Sequence, residues 1–147
     1  MITDKTTVKI LARIPDVTGE GVPSAAGEVG DIYLDVDTGL TYEWDGEAWV
    51  QYNEFDDIIN LHLARVELDY LKIRGIPYDM LDGEPVYPDG SKVVAAEMVC
   101  YLAGLGDYEG RGKASEALAG RSLSYDAKIY GYPASIVGNI ERYARVK

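Results

Sequence analysis

Residues 31–52 constrain the fold most, because short runs of strand-forming residues alternate there with turn signals. Three runs, at 31–36, 40–44 and 48–52, are rich in β-branched and aromatic residues, which favour strands. The Asp-Gly dipeptide between the second and third runs is a strong hairpin signal. The segment therefore predicts a three-stranded β meander, whose small core is expected to contain Tyr33, Tyr42, Trp44 and Trp49.

Apolar residues with helical spacing predict a long helix directly after the meander. It is expected to begin near Asn53 or Asp56, either of which can cap it, and to end at Gly75 and Pro77. Its core-facing residues are expected to be Ile59, Leu63, Val66, Tyr70 and Ile73. A wider stripe suited to packing on more than one neighbour is completed by Ile58, Leu61 and Leu68.

Two further helices are predicted in the C-terminal half. One begins at Asp89 or Ser91 and reaches about Leu105, and the other opens at Tyr132-Pro133 and continues to Val146. The shorter predictions are a strand or helical turn at 6–14, a strand at 121–125, and loops at 16–29, 76–88 and 106–117.

These elements together predict a mainly α fold, a small helical bundle with a short β-strand and an inserted three-stranded β meander, hence α+β overall. Residues 1–15 and 54–147 are expected to form the helical domain, and residues 16–53 the inserted module.

The charge is uneven along the chain, which has a net charge of −11. Residues 1–110 contain 22 acidic and 7 basic side chains, whereas residues 111–147 contain 3 acidic and 7 basic side chains. So acidic a chain is a poor general nucleic-acid binder, because phosphate contacts need positive charge. The basic end is suited to bind DNA or an acidic protein surface, unless it only offsets neighbouring acids.

The single cysteine, Cys100, excludes an internal disulfide and lies among apolar neighbours. A buried thiol and a reducing or indifferent compartment are therefore expected. The longest apolar run, near 93–105, is interrupted by Glu97 and is too short to span a bilayer, so no membrane contact is expected. The N-terminal residues lack the charged-then-apolar order of a secretory signal.

Motifs for catalysis are weak. His62 is the only histidine and lies within the first long helix, so Ser–His–Asp and Cys–His arrangements have little support. Paired carboxylates for acid–base hydrolysis need to meet only in space, which leaves a small hydrolase as a remote alternative. We therefore expect that the chain is not an enzyme and that it binds no cofactor.

Two acidic clusters were weighed as metal sites. Asp31, Asp35 and Asp37 resemble part of a calcium loop, but the Gly and Glu that an EF-hand requires are not both in register. The second cluster, which has the same weakness, consists of Asp79, Asp82 and Glu84. Turn-forming acids are the expected role of both clusters, and no metal is expected.

Three segments near the end carry a resemblance: Arg121-Ser122-Leu123-Ser124-Tyr125, Tyr132-Pro133 and Ile140-Glu141-Arg142-Tyr143-Ala144-Arg145-Val146. They resemble the head–tail connector (adaptor) family of tailed bacteriophages, whose members end with a Ser-rich strand, a Pro-started helix and a Tyr-Arg-Arg-Val-like segment. Residues 8–15 resemble the opening segment of that family. The resemblance covers residues 5–15 and about 55–147. Residues 16–53 depart from it and resemble short modules of phage structural proteins.

The resemblance implies a structural virion protein in the neck, between capsid and tail, made in the host cytoplasm. A ring of twelve copies would lie beneath the portal protein, extend the DNA channel and support the tail-completion (stopper) protein. DNA would pass through the channel without sequence-specific binding. The basic end would dock on the portal, through Arg142, Tyr143, Arg145, Val146 and Lys147.

A second interpretation is a carbohydrate- or peptide-binding module. Aromatic residues beside acids suit such ligands, and the expected contact surface on the meander is Tyr42, Trp44 and Trp49. On this interpretation, Trp44→Ala or Trp49→Ala abolishes binding without loss of the fold.

Overall fold

The computed structural model describes residues 1–106 and 128–140. The helices in these residues are α1 (Lys5–Leu11), α2 (Asp56–Arg74), α3 (Ser91–Ala103) and α4 (Ala134–Val137). The strands are β1 (Val17–Gly19), β2 (Ile32–Asp35), β3 (Thr41–Trp44), β4 (Trp49–Gln51), β5 (Asp79–Leu81), β6 (Glu84–Val86), β7 (Lys128–Ile129) and β8 (Tyr132–Pro133). They form one four-stranded sheet, β1–β4, and two hairpins, β5–β6 and β7–β8.

The fold is α+β, and the prediction of a mainly α small helical bundle was wrong. Within the described residues about 37% are helical and 20% are in strands. The prediction failed because β1 and the β5–β6 hairpin occupy segments predicted as loops, and β8 occupies the residues predicted to open a helix. Each of these strands has only two or three residues, which is too short to show the period-two alternation that identifies a strand.

The predicted meander is present and gains a fourth strand. Strands β2, β3 and β4 pair antiparallel in chain order, and β1 adds to β2 in parallel. The turn between β3 and β4 is held by the Asp45 carboxylate, which accepts the backbone N–H groups of Glu47 and Ala48 at 2.7 Å. This Asx-type capping explains why the Asp-Gly signal predicted the hairpin correctly.

Helices α1, α2 and α3 enclose the main core. The core-facing residues predicted for α2 are all buried: Ile59, Leu63, Val66, Tyr70 and Ile73. On α3, Ala95, Ala96 and Cys100 are completely buried, and such small side chains let helices approach closely. Burial of each larger apolar side chain stabilises the fold by roughly 1.5–3 kcal/mol.

The predicted burial of the thiol is confirmed. Cys100 Sγ lies 3.6 Å from the carbonyl oxygen of Val8, to which it donates. Burial, with a smaller contribution from the Glu97 carboxylate, raises the pKa of Cys100 to about 12. The thiolate, which is the reactive form, is therefore scarce at neutral pH.

The helix boundaries differ slightly from those expected. The N-caps of α2 and α3 are Phe55 and Gly90, and neither helix has a side-chain cap hydrogen bond. The end of α2 is as predicted, because Gly75 adopts the left-handed conformation with φ of 90°. The segment 6–14, predicted as a strand or a helical turn, belongs largely to α1, which Asp4 caps through the N–H of Thr7.

One buried lysine joins the sheet to the helices. Lys9 on α1 is 1% exposed, and its Nζ donates to Gly39 O at 2.9 Å, Thr41 Oγ1 at 3.2 Å and Asp56 Oδ1 at 2.6 Å. Burial lowers the pKa of Lys9, and Asp56 opposes that effect. All three ammonium protons are thus used to connect α1, the sheet and the start of α2.

Strands β1–β4 lie within residues 16–53. The assignment of these residues to a separate inserted module stays a prediction.

The C-terminal described segment differs from its prediction. Tyr132 and Pro133 form β8, and the predicted helix begins directly after them, at Ala134 with Pro133 as its N-cap, but α4 ends at Val137. Burial of Ile136, Val137 and Ile140 nevertheless follows the predicted apolar spacing. The predicted loop beyond residue 106, the strand at 121–125 and the helix beyond residue 140 lie outside the described residues.

Candidate functional site

The sheet carries its aromatic row on the face opposite to α1. The register pairs Tyr33 with Tyr42 and Trp44 with Trp49, so these side chains share one face. Thr41 projects from the other face, where it accepts the hydrogen bond of Lys9. The structure thus brings together the predicted contact residues, Tyr42, Trp44 and Trp49, with Tyr33.

Part of this aromatic row is already engaged by the loop between β1 and β2. Trp49 Nε1 donates to Ala25 O at 2.7 Å, and Tyr33 OH donates to Gly21 O at 3.0 Å. Gly27 lies so close to Trp49 that an added Cβ would be 2.9 Å from the indole ring. Trp49 therefore holds the loop in place, a role that the sequence did not reveal.

The other two predicted contact residues are half-buried and keep their polar atoms available. Within the described residues, neither Tyr42 OH nor Trp44 Nε1 makes a hydrogen bond to another side chain or to the backbone. Trp44 packs edge-to-face on Trp49, with ring centroids 5.3 Å apart. Ligand contact by this face would thus depend on Tyr42 and Trp44 rather than on Trp49.

A cavity of about 280 Å³ lies beside Trp49, between the loop and the sheet. Its lining residues include Tyr33 and Trp49 and the acidic residues Glu20 and Asp31. Aromatic faces and carboxylates together suit a cationic group, such as the end of a lysine or arginine side chain.

The outward side of α2 is a second exposed surface. Leu61 and Leu68 are 67% and 69% exposed, and Arg65 and Lys72 continue the same stripe. We call these four residues the α2 outer face; their spacing places them on one side of the helix. The expectation that Leu61 and Leu68 pack on a second neighbour was wrong within the described residues.

The β5–β6 hairpin is a third surface, in the segment predicted as a loop. Its turn residues Asp82 and Gly83 have φ of 52° and 81°, as a two-residue type I′ turn requires. The strand register places Asp79, Leu81, Glu84 and Val86 on one side, and all four are exposed. We call them the hairpin outer face. Asp82-Gly83 is the sequence signal for this hairpin.

The base of the hairpin is fixed on α2 by tyrosines. Tyr78 and Tyr87 stack edge-to-face with centroids 5.0 Å apart, and Arg74 Cζ lies 5.3 Å from the Tyr78 ring centroid. Tyr87 OH donates to Glu67 Oε1 at 2.6 Å. Burial first, and then the bond to Glu67, raises the pKa of Tyr87 to about 12. The hairpin is thus an anchored projection.

In the first of the two acidic clusters, Asp35 binds backbone N–H groups of nearby loops. Asp35 is buried, and its Oδ1 accepts the N–H groups of Gly21 and Asp37 at 3.1 and 2.9 Å. Burial opposes ionisation of Asp35, but these bonds outweigh it and lower its pKa. No group of three His, Cys, Asp or Glu side chains in the described part of the chain is arranged to hold a metal.

His62 is half-buried on α2, where burial and then the charge of Arg65 lower its pKa. A lowered pKa keeps this imidazole neutral at pH 7. Across residues 1–106 and 128–140, no helix combines the length and apolar character needed to cross a membrane.

The residues expected to dock on the portal, Arg142, Tyr143, Arg145, Val146 and Lys147, lie outside the described residues. Comparison with known proteins gave no match to a protein-family model, to a curated protein or to a solved structure.

Proposed function

We propose that this chain is a structural virion protein, a head–tail adaptor whose copies form a ring beneath the portal of a tailed bacteriophage. The observation that carries the proposal is the exposure of leucines on the α2 outer face together with an anchored, partly apolar hairpin. Apolar side chains exposed in this way are available for contact with a neighbouring subunit. The resemblance of residues 5–15 and about 55–147 to the adaptor family then specifies the assembly.

The charge distribution supports the same proposal. An acidic body lining a DNA channel repels phosphates and so keeps DNA from adhering to the wall. The basic end, which carries Arg142, Arg145 and Lys147, is suited to an acidic portal surface. Portal and stopper protein would be the two neighbours of the ring, which would lie in the virion neck.

Portal binding tests the role of the basic end. We expect the double variant Arg142→Gln/Arg145→Gln to bind the portal ring of the same phage about tenfold more weakly at physiological salt, because two charge contacts with the portal are lost. The measurement is a sedimentation titration of each variant with purified portal rings.

The matched control is Lys128→Gln/Lys92→Gln, which removes the same charge from exposed positions in the described residues. This variant is expected to bind as the wild type does. Equal weakening by both variants would show that only net charge matters, and unchanged binding by the first would exclude docking through the basic end.

A ligand-binding module is the second candidate, favoured by the aromatic row opposite α1. In this case Trp44 and Tyr42 contact a sugar or a peptide, and the cavity beside Trp49 accepts a cationic side chain. The same surface would contact a neighbouring virion protein if the first candidate is correct.

Two tryptophan variants test this second candidate. Trp44→Ala is expected to abolish binding on glycan and peptide arrays while lowering the free energy of unfolding by under about 1 kcal/mol, since the ring is half-buried. Trp49→Ala is expected to cost about 2 kcal/mol, because the loop loses its packing and its hydrogen bond. Wild-type protein that binds nothing on either array would remove this candidate.

A further inference from the structure

The α2 outer face and the hairpin outer face are complementary in composition. The first presents two leucines and two cations, in the order Leu61, Arg65, Leu68 and Lys72 along the helix. The second presents two apolar residues and two acids on one side of the strand pair: Leu81, Val86, Asp79 and Glu84. Each surface thus alternates apolar and charged side chains, and the charges of the two surfaces are opposite in sign.

The charges on both surfaces are largely uncommitted. Lys72, Asp79 and Glu84 form no ion pair with any other described residue, whereas Arg65 Nε lies 3.3 Å from Asp69 Oδ2. The Arg65 side chain is 61% exposed and that of Asp69 is 20% exposed, and a pair with one exposed partner is worth about 1 kcal/mol. A partner carboxylate can therefore reach both cations at small cost.

The hairpin is also preorganised for contact. Its base is held by the Tyr78–Tyr87 stack and by the bond from Tyr87 to Glu67, and its type I′ turn fixes the strand register. A fixed projection loses little conformational entropy on binding, and this favours association through a small surface.

We propose that the hairpin outer face of one copy docks on the α2 outer face of the next copy. The two surfaces are different patches of one chain, so the contact is heterologous and repeats head to tail, closing into a ring where the rotation permits. Leu81 and Val86 would contact Leu61 and Leu68, with Asp79 and Glu84 near the two cations. This contact would supply the interface between neighbouring adaptor copies. It rests on the proposed adaptor function only for closure of the ring on a portal.

Disulfide trapping between two differently tagged chains tests the contact. One chain carries Leu81→Cys and the other Leu68→Cys, and both keep Cys100, whose buried thiol and raised pKa make it unreactive. The mixed Leu81→Cys/Leu68→Cys disulfide is expected to exceed each self-linked product severalfold. The matched control replaces Leu68→Cys by Val93→Cys, which is also exposed but lies on α3.

Charge reversal gives the second readout. Lys72→Glu in the chain with Leu68→Cys is expected to lower the mixed yield about fivefold, because it places two like charges opposite each other. Adding Asp79→Lys to the chain with Leu81→Cys is expected to restore the yield, because the two charges are again opposite in sign. The assay is run near 0.15 M salt, where the Debye length of about 8 Å screens the general repulsion between acidic chains.

A mixed yield no greater than that of the Val93→Cys control would overturn the proposal. Predominant Leu81→Cys self-linking would replace it by a symmetric contact, and an occupant other than a second copy would likewise leave the yield at the control value. No portal is present in this assay, so failure of the contact and failure of portal binding are observed separately.

Discussion

Lys9→Met is expected to lower the free energy of unfolding by about 3 kcal/mol. The side chain is 1% exposed, and its removal leaves Asp56, Gly39 O and Thr41 Oγ1 without their shared donor. Breaking a buried pair by removing one partner typically costs 3–5 kcal/mol. The lower end applies here, because the Asp56 side chain is 14% exposed and can recover some hydration. Urea unfolding followed by circular dichroism measures the change.

Two matched variants isolate the cause. Lys5→Met makes the same substitution at a lysine that is 26% exposed and 3.7 Å from Asp56, and should cost under about 1 kcal/mol. Asp56→Asn added to Lys9→Met removes the carboxylate that has lost its nearer lysine, so the double variant should be less destabilised than the sum of the single ones. Equal effects of Lys5→Met and Lys9→Met would contradict the assigned role.

The same variant also reports on the joint between sheet and helices. Both tryptophans of the chain lie in the sheet, so their fluorescence follows the sheet while far-ultraviolet dichroism follows mainly the helices. The two signals should coincide for the wild type, as for a cooperative unit, and separate for Lys9→Met, with fluorescence changing at lower urea.

Tyr132→Ala is expected to lower the free energy of unfolding by about 3–5 kcal/mol, as for other large aromatic residues in cores. Tyr132 is 1% exposed, its ring lies 6.2 Å from that of Tyr101, and its hydroxyl donates to Asp69 Oδ2. Burial first, and then the bond to Asp69, raises its pKa. Thermal and urea unfolding measure the loss.

Tyr132→Phe separates the ring from the hydroxyl. It keeps the packing and loses one hydrogen bond to a carboxylate, so a cost of about 1.5–3 kcal/mol is expected. A loss below about 1 kcal/mol for Tyr132→Ala would show that residues 128–140 do not depend on this anchor.

The elements predicted most accurately from the sequence were those with patterns that repeat over several residues. The buried stripe of α2 and the three meander strands followed from spacing and turn chemistry, because each repeats over several residues. The joint at Lys9 was not predictable, since Gly39, Thr41 and Asp56 meet it only in the folded chain. Likewise, strands of two residues such as β7 and β8 depend on tertiary contacts rather than on local preference.

The candidate surfaces were predicted in part. The prediction that Leu61 and Leu68 widen the apolar stripe of α2 was wrong, because a spacing of about 100° per residue places them opposite to the buried residues, and they are exposed. The hairpin was missed because Pro85 and the short runs beside its Asp-Gly turn weaken the strand pattern. Trp49 differs from Trp44 because its indole N–H donates to the loop carbonyl of Ala25. No local sequence pattern specifies that contact.

The measurement that tests the central claim most directly is the mass of purified portal rings after mixing with the full-length chain. We expect native mass spectrometry to show the portal mass increased by a whole number of chain masses, twelve if the adaptor resemblance holds. A portal mass that stays unchanged, with folded chain in excess, would contradict the assignment of this protein as a head–tail adaptor.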